Sequence, residues 1–280
     1  MNRRGFTLIE LLVVIAIVGI LSSVIYTNIT GLRDRARVTA GTRFDSSTLH
    51  SIGDMLVGEW LFDTNTSPTL DTSGSGNSGT LVGTPTWQET GGYNSKGAYS
   101  FNGSTNYVSM GDVLDFDSGD KFTISAWIKP NTGTTGNVVT KESNITPYKG
   151  YGIYVGPSGK IYFELINTVT TNSLRIYGTK NTADGQWHHV ATTYDGSKTV
   201  AGTKIYIDGA NDDIISVTAN TLTGDTLTSY PLEIGARNGA YYPFTGSIDN
   251  VRIYANNLSG SDIQKIYAEG ISSHSNLANK

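Results

Sequence analysis

Phe122-Thr123-Ile124-Ser125-Ala126-Trp127-Ile128-Lys129 is the stretch on which the fold turns. Phe122, Ile124, Ala126 and Ile128 alternate with Thr123, Ser125, Trp127 and Lys129, a period of two that puts each set on its own face of an extended strand. The same period returns at Ile205 and Ile207, set between Lys204, Tyr206 and Asp208, and Ile248, Val251 and Ile253 mark another short strand. Clusters of Gly, Asn, Asp, Ser and Thr separate the runs, and Asp208-Gly209 and Asn238-Gly239 have the chemistry of tight turns with positive φ. No gap between strands shows the helical pattern that a parallel βαβ sheet needs, so the chain from Glu59 to about residue 270 reads as an all-β sandwich.

Toward the N-terminus the pattern changes. Leu11 to Leu21 is apolar apart from Gly19, and the wider stretch Phe6 to Tyr26 adds only Thr7, Glu10, Ser22 and Ser23. A helix of that length reaches about 30 Å, enough to cross a bilayer core. Asn2-Arg3-Arg4 would suit the basic start of a signal peptide, but no clear Ala-x-Ala site follows the apolar run. Glu10 also costs on the order of a few kcal/mol in lipid, so it demands a partner that a simple signal peptide does not offer. Arg33, Arg35 and Arg37 balance Arg3 and Arg4 across the span, so charge counting leaves its orientation open. Ile29, Leu32, Ala36, Val38, Ala40, Phe44, Leu49, Ile52 and Leu56 continue a loose helical spacing to about residue 57, weakened at Gly31, Gly41 and Gly53 by roughly 1 kcal/mol each.

Composition removes several functions. The 280 residues include 33 glycines and no cysteine, which excludes disulfide scaffolds, thiol catalysis and Cys-based zinc sites. Only 16% of residues are charged and the net charge is -4, so there is no basic footprint for nucleic acid. His188 and His189 point to opposite faces of a strand and cannot chelate one ion together. Glycosidase chemistry needs a convergent carboxylate pair, and no Glu-x-Asp-x-x-Glu spacing occurs; Glu164, Asp212 and Asp213 read as solvated residues, and the chain reads as a non-enzyme. An enzyme would instead require members of the set Glu59, Glu164, Asp208 and Glu233 to meet in a cleft. Sugar binding needs aromatic platforms beside directional hydrogen-bonding groups. Two segments have that chemistry, which makes Tyr148, Tyr151, Arg237, Asn238, Tyr241 and Tyr242 the candidate ligand residues.

Arg4-Gly5-Phe6-Thr7-Leu8-Ile9-Glu10-Leu11-Leu12-Val13-Val14-Ile15-Ala16-Ile17 resembles the start of a type IV pilin or pseudopilin precursor. The resemblance implies cleavage by a prepilin peptidase after Gly5, N-methylation of Phe6, and pairing of Glu10 with the terminal amine of a neighbouring subunit. It also implies a single-pass precursor with its leader in the cytoplasm, which later joins a surface pilus or a periplasmic pseudopilus.

Downstream, Glu59-Trp60-Leu61-Phe62-Asp63, Asp71-Thr72-Ser73-Gly74 with Asn77, Gly185-Gln186-Trp187-His188-His189-Val190-Ala191 and Phe244-Thr245-Gly246-Ser247-Ile248-Asp249-Asn250-Val251-Arg252-Ile253-Tyr254 are similar in order to the concanavalin A-like, laminin-G-like jelly rolls. Asn102 departs from that pattern, where the family often has Asp. The resemblance implies a structural calcium held by Asp71, Asn77 and Asp249; the residues alone are equally compatible with Asx turns at Asp71 and Asn77 and with an Asp249 that hydrogen-bonds buried backbone. Ser259 and Asp262 have capping-box spacing and open a short closing helix through Tyr267.

The expected organisation is a leader at 1–5, an assembly and membrane helix at 6–57, a mainly β laminin-G-like sandwich at 58–270 and a tail at 271–280. The expected function is a pilin-like filament subunit whose sandwich binds a glycan or a surface protein in adhesion. The alternatives are a pseudopilin of a type II secretion system and, third, a displayed polysaccharide-degrading enzyme.

Overall fold

The computed structural model describes residues 52–212, 216–239 and 241–275, with the backbone alone for 271–275. Gly5, Phe6, Glu10, the expected membrane span and Asp213 lie outside the described residues.

In chain order the strands are β1 (Leu56–Trp60), β2 (Thr80–Val82), β3 (Thr86–Gln88), β4 (Ala98–Asn102), β5 (Tyr107–Gly111), β6 (Phe122–Pro130), β7 (Gly136–Glu142) and β8 (Gly150–Val155). They continue as β9 (Ile161–Thr168), β10 (Asn172–Tyr177), β11 (His188–Tyr194), β12 (Thr203–Ile207), β13 (Ala210–Asn211), β14 (Ser216–Asn220), β15 (Leu232–Ile234) and β16 (Thr245–Tyr254), followed by helix α1 (Gly260–Ser275). One sheet has the order β13-β12-β11-β6-β16-β4-β3, with β1 also paired to β16, and the other the order β14-β10-β9-β8-β7-β15-β5-β2.

The alternation in β6 fills the space between the sheets. Phe122, Ile124, Ala126 and Ile128 are wholly buried and meet Val139, Ile153, Phe163 and Leu174 of the second sheet. Phe122 lies 4.7 Å from Phe116, 5.2 Å from Tyr151 and 5.7 Å from Tyr194, ring centre to ring centre. Burial of each such ring stabilises by about 2–3 kcal/mol.

The opposite face of β6 is buried too, which alternation does not announce. Trp127 stacks on Tyr93 at 4.1 Å and on Tyr267 of α1 at 5.6 Å. Thr123 Oγ1 donates to the Asn256 carbonyl at 2.8 Å and accepts the Leu258 N–H at 3.0 Å, fixing the approach to the helix. The capping box forms: the Ser259 N–H donates to Asp262 Oδ2 at 3.1 Å and the Asp262 N–H to Ser259 Oγ at 3.3 Å.

Two boundaries differ from the sequence reading. The helix runs on to Ser275 rather than ending at Tyr267, and Gly270 does not break it because its bare Cα lets the helix settle on two rings. A Cβ there would stand 2.9 Å from both Trp127 and Tyr93. At the other end β1 already begins at Leu56, where Trp60 is fully buried and its Nε1–H donates to the Asn77 carbonyl at 3.0 Å.

Candidate functional site

The outward face of the second sheet carries a cleft of about 470 Å³, and its origin lies in β8. Tyr151, Ile153 and Val155 fill the core, so Gly150, Gly152 and Tyr154 face the other way. Neither glycine position has room for a side chain: a Cβ at Gly152 would stand 2.5 Å from the Thr140 methyl carbon, and one at Gly150 would run into the Lys141 carbonyl. Glu142 of β7 pairs with Gly150, and Gly152 pairs with Glu164 of β9, so the carboxylates stand on either side of β8.

Each carboxylate is held by a guanidinium. Arg237 Nη1 donates to Glu142 Oε2 at 2.8 Å and lies 3.6 Å from Glu164 Oε1, while Arg175 Nε donates to Glu164 Oε2 at 3.0 Å. Burial pushes the Glu142 carboxyl well above the usual range, the Glu164 carboxylate adds to the shift, and Arg237 only partly opposes it. Glu142 Oε1 and Arg237 Nε have no hydrogen-bond partner.

Tyrosines make the walls. The Arg237 guanidinium lies 4.7 Å from the Tyr241 ring centre and 5.3 Å from that of Tyr148. Tyr154, Tyr162 and Tyr177 stack across β8, β9 and β10 at 4.9 and 4.6 Å, and Tyr242 meets Tyr154 edge-on at 6.1 Å. The loop that carries Tyr241 and Tyr242 is pinned from below. Arg237 and Tyr241 exchange two backbone hydrogen bonds at 3.0 Å around the Asn238-Gly239 turn, and buried Asn137 donates its amide to the carbonyls of Tyr241 and Tyr242 at 3.0 and 2.8 Å. The Gly239 N–H donates to Glu233, whose carboxyl burial pushes up to about 7.

Of the candidate ligand residues, Tyr148, Arg237, Tyr241 and Tyr242 converge on this cleft. Tyr151 does not: it is 1% exposed in the core, with its hydroxyl donating to the Leu114 carbonyl at 2.7 Å, because the strand period turns it away from Tyr148's side of the sheet. Asn238 serves the turn, bonded to Asn144 at 2.9 Å. Glu164 is not solvated as expected but 4% exposed and ion-paired, and Asp212 is buried, accepting the Thr179 N–H and hydroxyl at 2.6 Å each. Glu142, Arg175, Tyr154, Tyr162 and Asn137 were missed. No local signal marks them, because they meet only through the pairing of β7, β8, β9 and β10 and the loop at 237–242.

The four carboxylates that an enzyme was expected to assemble stay apart. Glu59 pairs with Arg252 at 2.8 Å, Asp208 with His188 at 2.9 Å, and Glu233 with Gly239. His188 also bonds Asp184 at 3.1 Å, and the Asp208 hydrogen bond raises its pKa above the ordinary value. His189 lies on the other face among Trp127 and Tyr267, where burial pushes its pKa down to about 3.

The calcium expectation divides in two. Asp71 Oδ1 accepts the N–H groups of Glu59 and Ser73 and Oδ2 that of Asn77, while the Asn77 amide donates to the Val57 carbonyl, so both side chains organise their own loop. Asp249 is wholly buried; burial pushes its carboxyl well above the usual range, the Asp63 charge adds to the shift, and the N–H groups of Asn250 and Tyr93 oppose it. The Lys96 carbonyl beside it accepts the Gly92 N–H at 2.8 Å. Among the described residues no group of three or more His, Asp or Glu side chains could hold a metal, so carbonyls would have to supply the remaining ligands.

Two antiparallel sheets in jelly-roll order, with a tyrosine-walled cleft on one outer face, define a lectin-like domain. The chain belongs to the concanavalin A-like lectin/glucanases superfamily, which matches residues 102–264. Residues 1–26 match the prokaryotic N-terminal methylation motif. Among curated proteins, the adhesion G-protein coupled receptor V1 of Danio rerio is 28% identical over 151 residues, 52% of this chain and 2% of the receptor. The type IV wide pilus major component PilA4 of Thermus thermophilus is 51% identical over 43 residues, 15% of this chain and 33% of that pilin. The chain thus spans a third or less of the length of these relatives.

Among solved structures, the binding domain of Paraclostridial Mosquitocidal Protein 1 superposes with a TM-score of 0.60 at 17% identity, over 77% of this chain and 52% of the other. Domain 4 of AbnA, a GH43 extracellular arabinanase of Geobacillus stearothermophilus solved with arabinotriose, gives 0.56 at 23% identity, over 76% and 98%. At these identities the likeness is one of fold.

Proposed function

We propose that this chain is a type IV pilin-like filament subunit that displays a glycan-binding sandwich for surface adhesion. The reading rests on the methylation motif at one end of the chain together with the tyrosine and arginine cleft at the other. A prepilin peptidase removes the leader after Gly5, Phe6 becomes the methylated terminus, and Glu10 pairs with the terminal amine of the next subunit, the partner that a carboxylate buried among packed helices requires. Before assembly the apolar N-terminal helix holds the subunit in the cytoplasmic membrane. In the cleft, sugar ring faces lie on tyrosines while hydroxyls meet Arg175, Arg237 and phenol groups. The mechanism is binding rather than turnover, since each cleft carboxylate is committed to a guanidinium. The structural calcium that the jelly-roll resemblance implies would be held by Asp71, Asn77 and Asp249, with backbone carbonyls completing its oxygen set.

The test is a glycan array probed with the full chain in detergent, in calcium and again in chelator, with Tyr241→Ala removing an exposed ring of the cleft as control. Binding that Tyr241→Ala abolishes supports the reading; no binding by a chain whose melt shows it folded sinks adhesion through sugars and favours a secretion pseudopilus. A melting temperature indifferent to chelator removes the calcium. For assembly, Glu10→Ala is expected to be cleaved normally yet to enter filaments poorly, and undiminished filament yield would contradict the ion pair.

A further inference from the structure

The two ion pairs of the cleft are layered in the same sense. Arg175 is 31% exposed over a Glu164 that is 5% exposed, and Arg237 is 13% exposed over a Glu142 that is wholly buried. A ligand entering the cleft therefore meets guanidinium first, although the charges balance formally. Nε is the Arg175 atom bonded to Glu164, and the guanidinium also hydrogen-bonds the Tyr154 side chain, which holds it against the tyrosine row while its side chain stays 31% exposed. Lys160 adds a third cation at the outer end of the tyrosine row, 5.2 Å from the Tyr177 ring centre.

We propose that the cleft selects glycans bearing carboxylates, such as uronate or sialate residues, with the sugar carboxylate on Arg175 and the ring against Tyr241 and Tyr242. The inference rests on the sugar-binding reading above and deepens it. A guanidinium fork matches a carboxylate in two parallel hydrogen bonds, which a neutral hydroxyl cannot reproduce. The raised proton affinity of Glu142 acts in the same direction, since it removes negative charge from beneath the guanidinium groups. Exposed rings favour a sugar over an acidic peptide: Tyr241 and Tyr242 are 42% and 38% exposed, and only one face of Tyr241 is taken by Arg237.

The experiment titrates the full chain in detergent with oligogalacturonate, its methyl ester, arabinotriose and polyglutamate at low salt. Oligogalacturonate is expected to bind at least about tenfold more tightly than the methyl ester, a charge-assisted increment of ordinary size. Arg175→Gln should erase that preference, and Arg175→Lys, which keeps the charge and loses the fork, should restore only part of it. Equal affinity for acid and ester overturns the inference and leaves sugar binding standing. Polyglutamate binding as tightly as oligogalacturonate also overturns it, since charge alone would then suffice. Failure of every glycan to bind removes both this inference and the reading beneath it.

Discussion

The two sheets present opposite outcomes of one pattern. On the first, the outward side of β6 carries Thr123, Ser125 and Trp127 and is sealed by α1, with Trp127 between Tyr93 and Tyr267. On the second, the outward side of β8 carries Gly150, Gly152 and Tyr154 and stays open, so that Glu142, Glu164, Arg175 and Arg237 line a cleft. Large residues on one outer face recruit a helix. On the other, charged and aromatic residues of β7, β9, β10 and the loop at 237–242 line an open cleft. The lesson is that one strand period yields a sealed face or a ligand site according to what the neighbouring elements place over it.

Removing one guanidinium should separate the two faces most strongly. Arg237→Ala takes a guanidinium from both Glu142 and Glu164 and is expected to cost about 3–5 kcal/mol in urea unfolding. Glu142→Gln, which keeps an acceptor for Arg237 Nη1, should cost only about 1 kcal/mol. Equal losses from the two variants would show that the charge of Glu142, and not its hydrogen bond, holds Arg237 in place.

The sealed face should respond to Gly270→Leu. A side chain at that position meets Trp127 and Tyr93, so the expected loss is about 1–3 kcal/mol. Hydrogen exchange should quicken in α1 while β8 keeps its protection and the cleft its affinity. Exchange that quickens equally in both sheets would mean the faces are not energetically separate.

The smallest expected effect is a slope in pH. His188 gains proton affinity in the fold, so its contribution is fully present below its unfolded value of 6.5 and is lost as pH rises through its higher folded value. Glu233, raised from 4.5 to about 7, has the same sign: folding binds the proton more tightly, and stability falls as pH climbs through that interval. His189, pushed down to about 3, has the opposite sign, its contribution being lost as pH falls below 6.5. The check is therefore on the variants: His188→Gln and Glu233→Gln should each remove part of a fall in melting temperature between pH 6 and pH 8. Variants whose melts follow pH as the parent's do would dissolve this account.

Much of the sandwich was legible because its signals are local. Alternation in β6, the Asn238-Gly239 turn and the Ser259–Asp262 cap each depend on residues within a few positions of one another, and each appears as read. The cleft was legible only in part. Tyr148, Arg237, Tyr241 and Tyr242 stood out by residue type, whereas Tyr151 has the same chemistry and faces the core, a distinction made by strand register. The bonding of Asp71 and Asn77 was likewise decided by the fold: backbone donors of their own loop claim Asp71, and the Asn77 amide is turned to Val57.

Residue order alone was enough for the N-terminal methylation motif, the jelly-roll class and the turns, since each is written in neighbouring side chains and their period. The pairing of Glu142 with Arg237, the meeting of Glu164 with Glu142 around that guanidinium, the covering of Trp127 and the burial of Asp249 were decided by the assembled sheets. The physical reason is that a strand's period specifies two faces without saying what will lie over either of them. Burial, and with it the charge state of every buried acid, is known only when the neighbouring strands have been placed.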